Sequence, residues 1–123
     1  MKIIYFEFPE YKFEVQLRDT ETAKAILKIL PIEATVKKWG DEFYFEAPLK
    51  QKLELEGNAK EVINLGEIVY WVEGGCIAIG FGPTPISQGN EIRLAARTNV
   101  WGDAKLDTEA LKKIQDSDII KVS

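Results

Sequence analysis

Residues Gly66–Ser87, GEIVYWVEGGCIAIGFGPTPIS, constrain this chain more than any other stretch. Two apolar runs, Ile68–Val72 and Cys76–Phe81, are separated by a Gly74-Gly75 reversal and followed by a Pro83-Thr84-Pro85 loop. Short runs of β-branched and aromatic residues bounded by Gly and Pro read as strands. Almost nothing polar interrupts them, so both faces are covered and the pair lies in the middle of a β core.

The remaining elements arrange themselves around that centre. Ile3–Phe8 and Lys12–Leu17 form a hairpin across Pro9-Glu10-Tyr11, with Phe13, Val15 and Leu17 alternating against Lys12, Glu14 and Gln16. Asp19-Thr20-Glu21 starts a helix whose apolar positions Ala23, Ile26, Leu27 and Leu30 make one stripe, and Pro31 ends it. Ala34–Trp39 and Glu42–Ala47 flank Gly40-Asp41 as a second hairpin. A short edge strand is expected around Leu53 and Leu55, a long strand over Glu91–Val100, a helix capped by Asp107 and running to Ile114, and a closing strand at Ile119–Val122. About eight short strands and two short helices at regular spacing predict one mainly β domain over residues 1–123, a closed barrel capped by the helices. At that strand number side chains fill the interior, so a ligand site belongs on the wall or rim.

Composition excludes more than it proposes. There is no histidine, which removes Ser-His-Asp and Cys-His nucleophiles, the usual zinc sites and the commonest general base. No metal and no cofactor are expected. Gly74-Gly75, Gly80 and Gly82 lack GxGxxG spacing and open no helix, so a dinucleotide fingerprint is not present. The net charge of −4 provides no cationic stripe for phosphate backbones, so nucleic acid is not an expected partner. No apolar run approaches the ~20 residues of a membrane span, and the first residues read as a strand, not a leader. No membrane partner is expected and the cytoplasm is the expected compartment; oligomeric state is left open. Cys76, the lone cysteine, sits beside Ile77-Ala78-Ile79 and reads as a buried apolar thiol.

Three constellations compete for function. Trp39, Tyr44, Tyr70, Trp71 and Phe81 are dense aromatics for central strands. From them comes a candidate ligand wall of Trp39, Glu42, Tyr44, Tyr70, Phe81 and Thr84, suited to a small molecule or peptide. Its bland alternative is a structural aromatic cluster. Arg93 and Arg97 share one face of a strand and are the candidate catalytic groups for prolyl isomerisation, which needs a donor to the amide nitrogen and no nucleophile or metal. Their bland alternative is pairing with Glu91 and similar neighbours on the exterior. A third possibility is a protein-interaction module using the same aromatic face.

Four segments in order, KKWGDEFYFEAP (Lys37–Pro48), GEIVYW (Gly66–Trp71), CIAIGFGPTPIS (Cys76–Ser87) and NVWG (Asn99–Gly102), carry a resemblance. Across essentially its whole length the chain resembles a small family of bacterial and archaeal cyclophilin-like proteins. That resemblance implies a cyclophilin-like barrel capped by helices. It implies no catalytic residue: isomerase cyclophilins use a histidine and a methionine in their groove, whereas this chain has no histidine and Met1 as its one methionine.

Overall fold

The alternation at the N-terminus becomes β1 (Ile3–Phe8) and β2 (Tyr11–Leu17) in the computed structural model, which describes residues 2–123. The two pair antiparallel with Phe6 opposite Phe13, and bury Ile4, Phe6, Phe8, Phe13 and Val15 on one face. Helix α1 (Glu21–Leu27) begins where Thr20 accepts a hydrogen bond from the Ala23 N–H. Its Ala23, Ala25 and Ile26 are buried in the barrel core. The stripe extends to Leu30 as expected, but beyond Leu27 the chain tightens: Ile29 and Leu30 donate three residues back, to Ile26 and Leu27.

The expected strand Ala34–Trp39 is two strands, β3 (Ile32–Thr35) and β4 (Lys37–Lys38). Val36 divides them because its N–H donates to the Asp118 carbonyl and its own carbonyl accepts from Ser117. β4 then pairs with β5 (Glu42–Glu46) as the second hairpin. No strand forms around Leu53 and Leu55; Leu53 is buried and Leu55 exposed. The backbone there is bonded to a side chain instead of a ladder, as described below. The next strands are β6 (Lys60–Ile63), β7 (Glu67–Trp71), β8 (Cys76–Gly80) and β9 (Ile92–Asp103). Helix α2 (Thr108–Lys112), capped by Asp107, and β10 (Ile119–Val122) complete the chain.

Around the barrel the order is β3-β10-β1-β2-β9-β7-β8-β5-β4, with β6 paired to β9 off this path. The two ends of the path, β3 and β4, are consecutive in sequence and joined through buried Val36. The cylinder is therefore closed by chain continuity, not by a hydrogen-bonded ladder. Ten strands replace the expected eight or so because one predicted strand is split and β6 appears.

Aromatic rings fill the interior. Phe6 lies 5.3 Å from Phe13, 6.2 Å from Phe45 and 6.1 Å from Trp101, and Phe43 stacks on Phe81 at 5.1 Å. Burying each such ring contributes about 1.5–3 kcal/mol. Trp101 reaches this core through a β-bulge: Ile68 pairs with Gly102 and Val69 with Val100, leaving Trp101 as the extra residue. A Cβ on Gly102 would sit 2.6 Å from Val15 Cγ1, so only glycine fits beside the bulge.

A second, smaller core lies outside the barrel. β9 leaves the cylinder at its N-terminal half, pairs with β6, and folds back over the outer face of the sheet. Ile63, Ile92 and Leu94 then pack on Val69, Ala78 and Val100. Gly80 permits this, since a Cβ there would lie 2.6 Å from Ile92 Cγ2.

Candidate functional site

The outer face of the sheet holds a cavity of about 190 Å³ in the fork where β9 parts from the barrel. On the sheet side it is lined by Glu42 and Tyr44 of β5, Ala78 of β8 and Trp71 of β7. Leu94, Ala95, Ala96 and Thr98 of β9 form the opposite side, and Trp39 closes one end. The lining is largely apolar, with one carboxyl group in it.

Trp39 and Glu42 are placed by the hairpin turn between β4 and β5. The Trp39 N–H donates to the Glu42 carbonyl at 2.9 Å, and Gly40 at φ +59° takes the left-handed position that a tight turn needs there. The loop after β8 secures this turn from outside. Asp41 donates to the Pro83 carbonyl and accepts from the Phe81 N–H, and a Cβ on Gly40 would lie 2.9 Å from Thr84 Cα. The Pro-framed loop thus holds the turn that carries the site. Thr84 anchors the loop in its turn, donating to the Arg93 carbonyl of β9.

Glu42 is only 7% exposed. Burial pushes its carboxyl up to about 7, and among the described residues no hydrogen bond or opposite charge offsets it. The buried Trp71 indole N–H likewise finds no partner among the described residues. An unmatched buried donor costs about 1–3 kcal/mol. Trp71 is tightly seated: a Cβ on Gly74 would fall within 2.1 Å of its ring, so the reversal needs glycine to let the indole lie flat beneath it. Thr98 has spent its hydroxyl proton on the Lys60 carbonyl.

Of the six expected wall residues, Trp39, Glu42 and Tyr44 meet at this cavity. Tyr70 and Phe81 do not; strand alternation turns both into the barrel, where the Tyr70 hydroxyl donates to the Ala47 carbonyl and Phe81 stacks on Phe43. Thr84 is buried in the loop that braces the turn. Trp71, one of the dense aromatics, lines the cavity although it is not among the six expected wall residues. Its signal was its adjacency to Tyr70, since neighbouring residues on a strand face opposite ways. Leu94 and Thr98 carried no such signal, because their place depends on β9 folding back.

The arginines stand elsewhere. Arg93 donates to Glu91 at 2.6 Å and pairs with Glu61 at 3.5 Å, so carboxylates on both sides engage it. Arg97 is exposed beside a broad open groove that also includes Lys52, Leu55 and Val72. Cys76 is buried and burial raises its thiol above the ordinary range, as a structural thiol requires. Among the described residues no group of three or more acidic or cysteine side chains is arranged to hold a metal ion, and no helix is long and apolar enough to cross a membrane.

The family model described as Cyclophilin-like matches residues 2–123. No curated protein matches the chain. It superposes on the solution structure of the hypothetical protein AF2241 from Archaeoglobus fulgidus with a TM-score of 0.79 and 36% sequence identity, over 98% of this chain and 92% of that one. It also superposes on McbB, solved in complex with tryptophan, with a TM-score of 0.64 and 13% identity, over 97% of this chain and 43% of McbB; that likeness is one of fold.

Proposed function

The chain belongs to the cyclophilin-like family, and on that premise we propose that it binds a small molecule, or one side chain of a peptide, in the wall cavity between Trp39, Tyr44 and Trp71. The observation that carries this is a cavity of about 190 Å³ walled by aromatic and aliphatic groups, with a lone unpaired carboxyl inside it. A packed core of this size leaves few voids larger than a water molecule. An apolar cavity of roughly 150 Å³ accepts benzene, so this one suits a body no larger than one ring or a compact branched group. Ligand sites combine such a lining with few, well-placed polar groups; here that group is the Glu42 carboxyl.

The test is a titration with single-ring compounds, followed by amide and indole NMR resonances. Phenol and toluene are the first probes. Saturable shifts are expected at Ala78, Ala96 and the Trp39 and Trp71 indoles, and Ala96→Trp, which fills the cavity from β9, is expected to abolish them. Shifts that survive in the folded Ala96→Trp variant, or that cluster elsewhere on the surface, would place binding outside this cavity.

A further inference from the structure

We infer that the occupant of this cavity is a methylated organic ammonium ion, free in solution, its charge against Glu42 and its methyl groups against the rings of Trp39, Tyr44 and Trp71. This rests on the cavity being a binding site and names the chemical class it takes. Three aromatic residues and one acid share a space of about 190 Å³. Aromatic faces carry negative potential and attract cations, most strongly when water is excluded. Aromatic faces accept N–H groups only weakly, and one carboxyl cannot satisfy the three N–H bonds of a primary ammonium, so a head whose nitrogen is covered by methyls fits better than a primary amine.

Charge decides between the remaining ligand classes. Among the described residues no lysine or arginine lines the cavity. Arg93, next to Leu94 on β9, is taken by Glu91 and Glu61. On β4, Lys38 reaches the Ile114 carbonyl and Lys37 is exposed. The ionisable neighbours left are Tyr44 on the same strand and Cys76 on β8, neither of them a cation. An anionic ligand would meet the Glu42 carboxylate unscreened, and a neutral one would leave its charge uncompensated. A cation removes both costs.

The probes are choline and its uncharged carbon isostere 3,3-dimethylbutan-1-ol, measured by calorimetry on the intact protein. Choline is expected to bind at least tenfold more tightly than the alcohol. With Glu42 titrating near 7, binding that needs its carboxylate should strengthen roughly tenfold from pH 6 to pH 8. Glu42→Gln should reduce choline to the alcohol's affinity and leave the alcohol unchanged. Equal affinities for the two probes, or a pH-independent choline affinity, would overturn the ammonium assignment while binding of phenol kept the cavity as a site. If choline, the alcohol and phenol all fail to bind, the assignment and the binding function fall together. Capture by phosphatidylcholine vesicles without binding of free choline would overturn the free-ligand assignment and indicate a lipid head.

Discussion

Glu42 and Glu67 begin β5 and β7, the two strands that flank β8, and are almost equally buried, at 7% and 8% exposure, yet their surroundings are opposite. Burial would raise Glu67 too. Instead the Asn64 N–H at 2.8 Å, Lys60 at 2.6 Å and Arg18 at 3.1 Å bring its carboxyl below the usual range. Arg18 also forks onto both carboxylate oxygens of Asp103 at 2.8 Å. That cluster ties the residue after β2 to β6, β7 and β9. Glu42 ties nothing together. A buried acid fully supplied with donors is a brace; one left without them costs stability, and the fold keeps it for another reason.

The largest test of this contrast is Glu67→Gln, which leaves Arg18 and Lys60 facing a neutral amide. Stability should fall by roughly 2–4 kcal/mol in denaturant unfolding at pH 7; a loss within error of zero would mean the cluster is ornamental. Glu42→Gln should act in the reverse sense. Because the folded Glu42 carboxyl titrates near 7 against an ordinary 4.5, its cost is absent below about pH 4.5 and grows as pH rises through 7. The variant should gain on the order of 2 kcal/mol at pH 8 and nothing at pH 4. A gain that is the same at both pH values would show that packing, not charge, is responsible. Smallest is Arg18→Lys, which keeps the charge but loses the two-pronged bond to Asp103; about 1 kcal/mol is expected at pH 7, read from the same unfolding curves. Equality with Glu67→Gln would assign the brace to geometry more than to charge.

Local pattern and global path were legible to different degrees. The first hairpin, the capped helix α1, the Gly40 turn and the closing strand followed from periodicity and turn chemistry, which act over a few residues. The division at Val36 did not, because it depends on Ser117 and Asp118, far along the chain. Alternation also misleads in β9, where Thr98, Asn99, Val100 and Trp101 are all buried. One face meets the outer layer, the other the interior, and the bulge shifts the phase. Asn99 is the plainest case. It donates to the Thr22 hydroxyl and the Glu54 carbonyl and accepts from the Glu56 N–H, binding the loop before β6 to helix α1. Thr22 in turn donates to Glu56. No local signal marks an asparagine on a strand as the partner of a loop forty residues away. Half of the candidate wall could be named for the converse reason: Trp39, Glu42 and Tyr44 lie within one hairpin, whereas their counterparts on β9 are brought in only by its fold-back.

Val36 gives the cylinder a seam made of a single covalent link. Elsewhere around the circumference, separating two neighbours means breaking a row of hydrogen bonds; here one peptide cut between Thr35 and Lys37 would free two bare rims able to recruit strands from other molecules. New termini should therefore be tolerated at the exposed Gly57-Asn58 tip and not at this residue, where opening the chain would turn a barrel into a sticky ribbon.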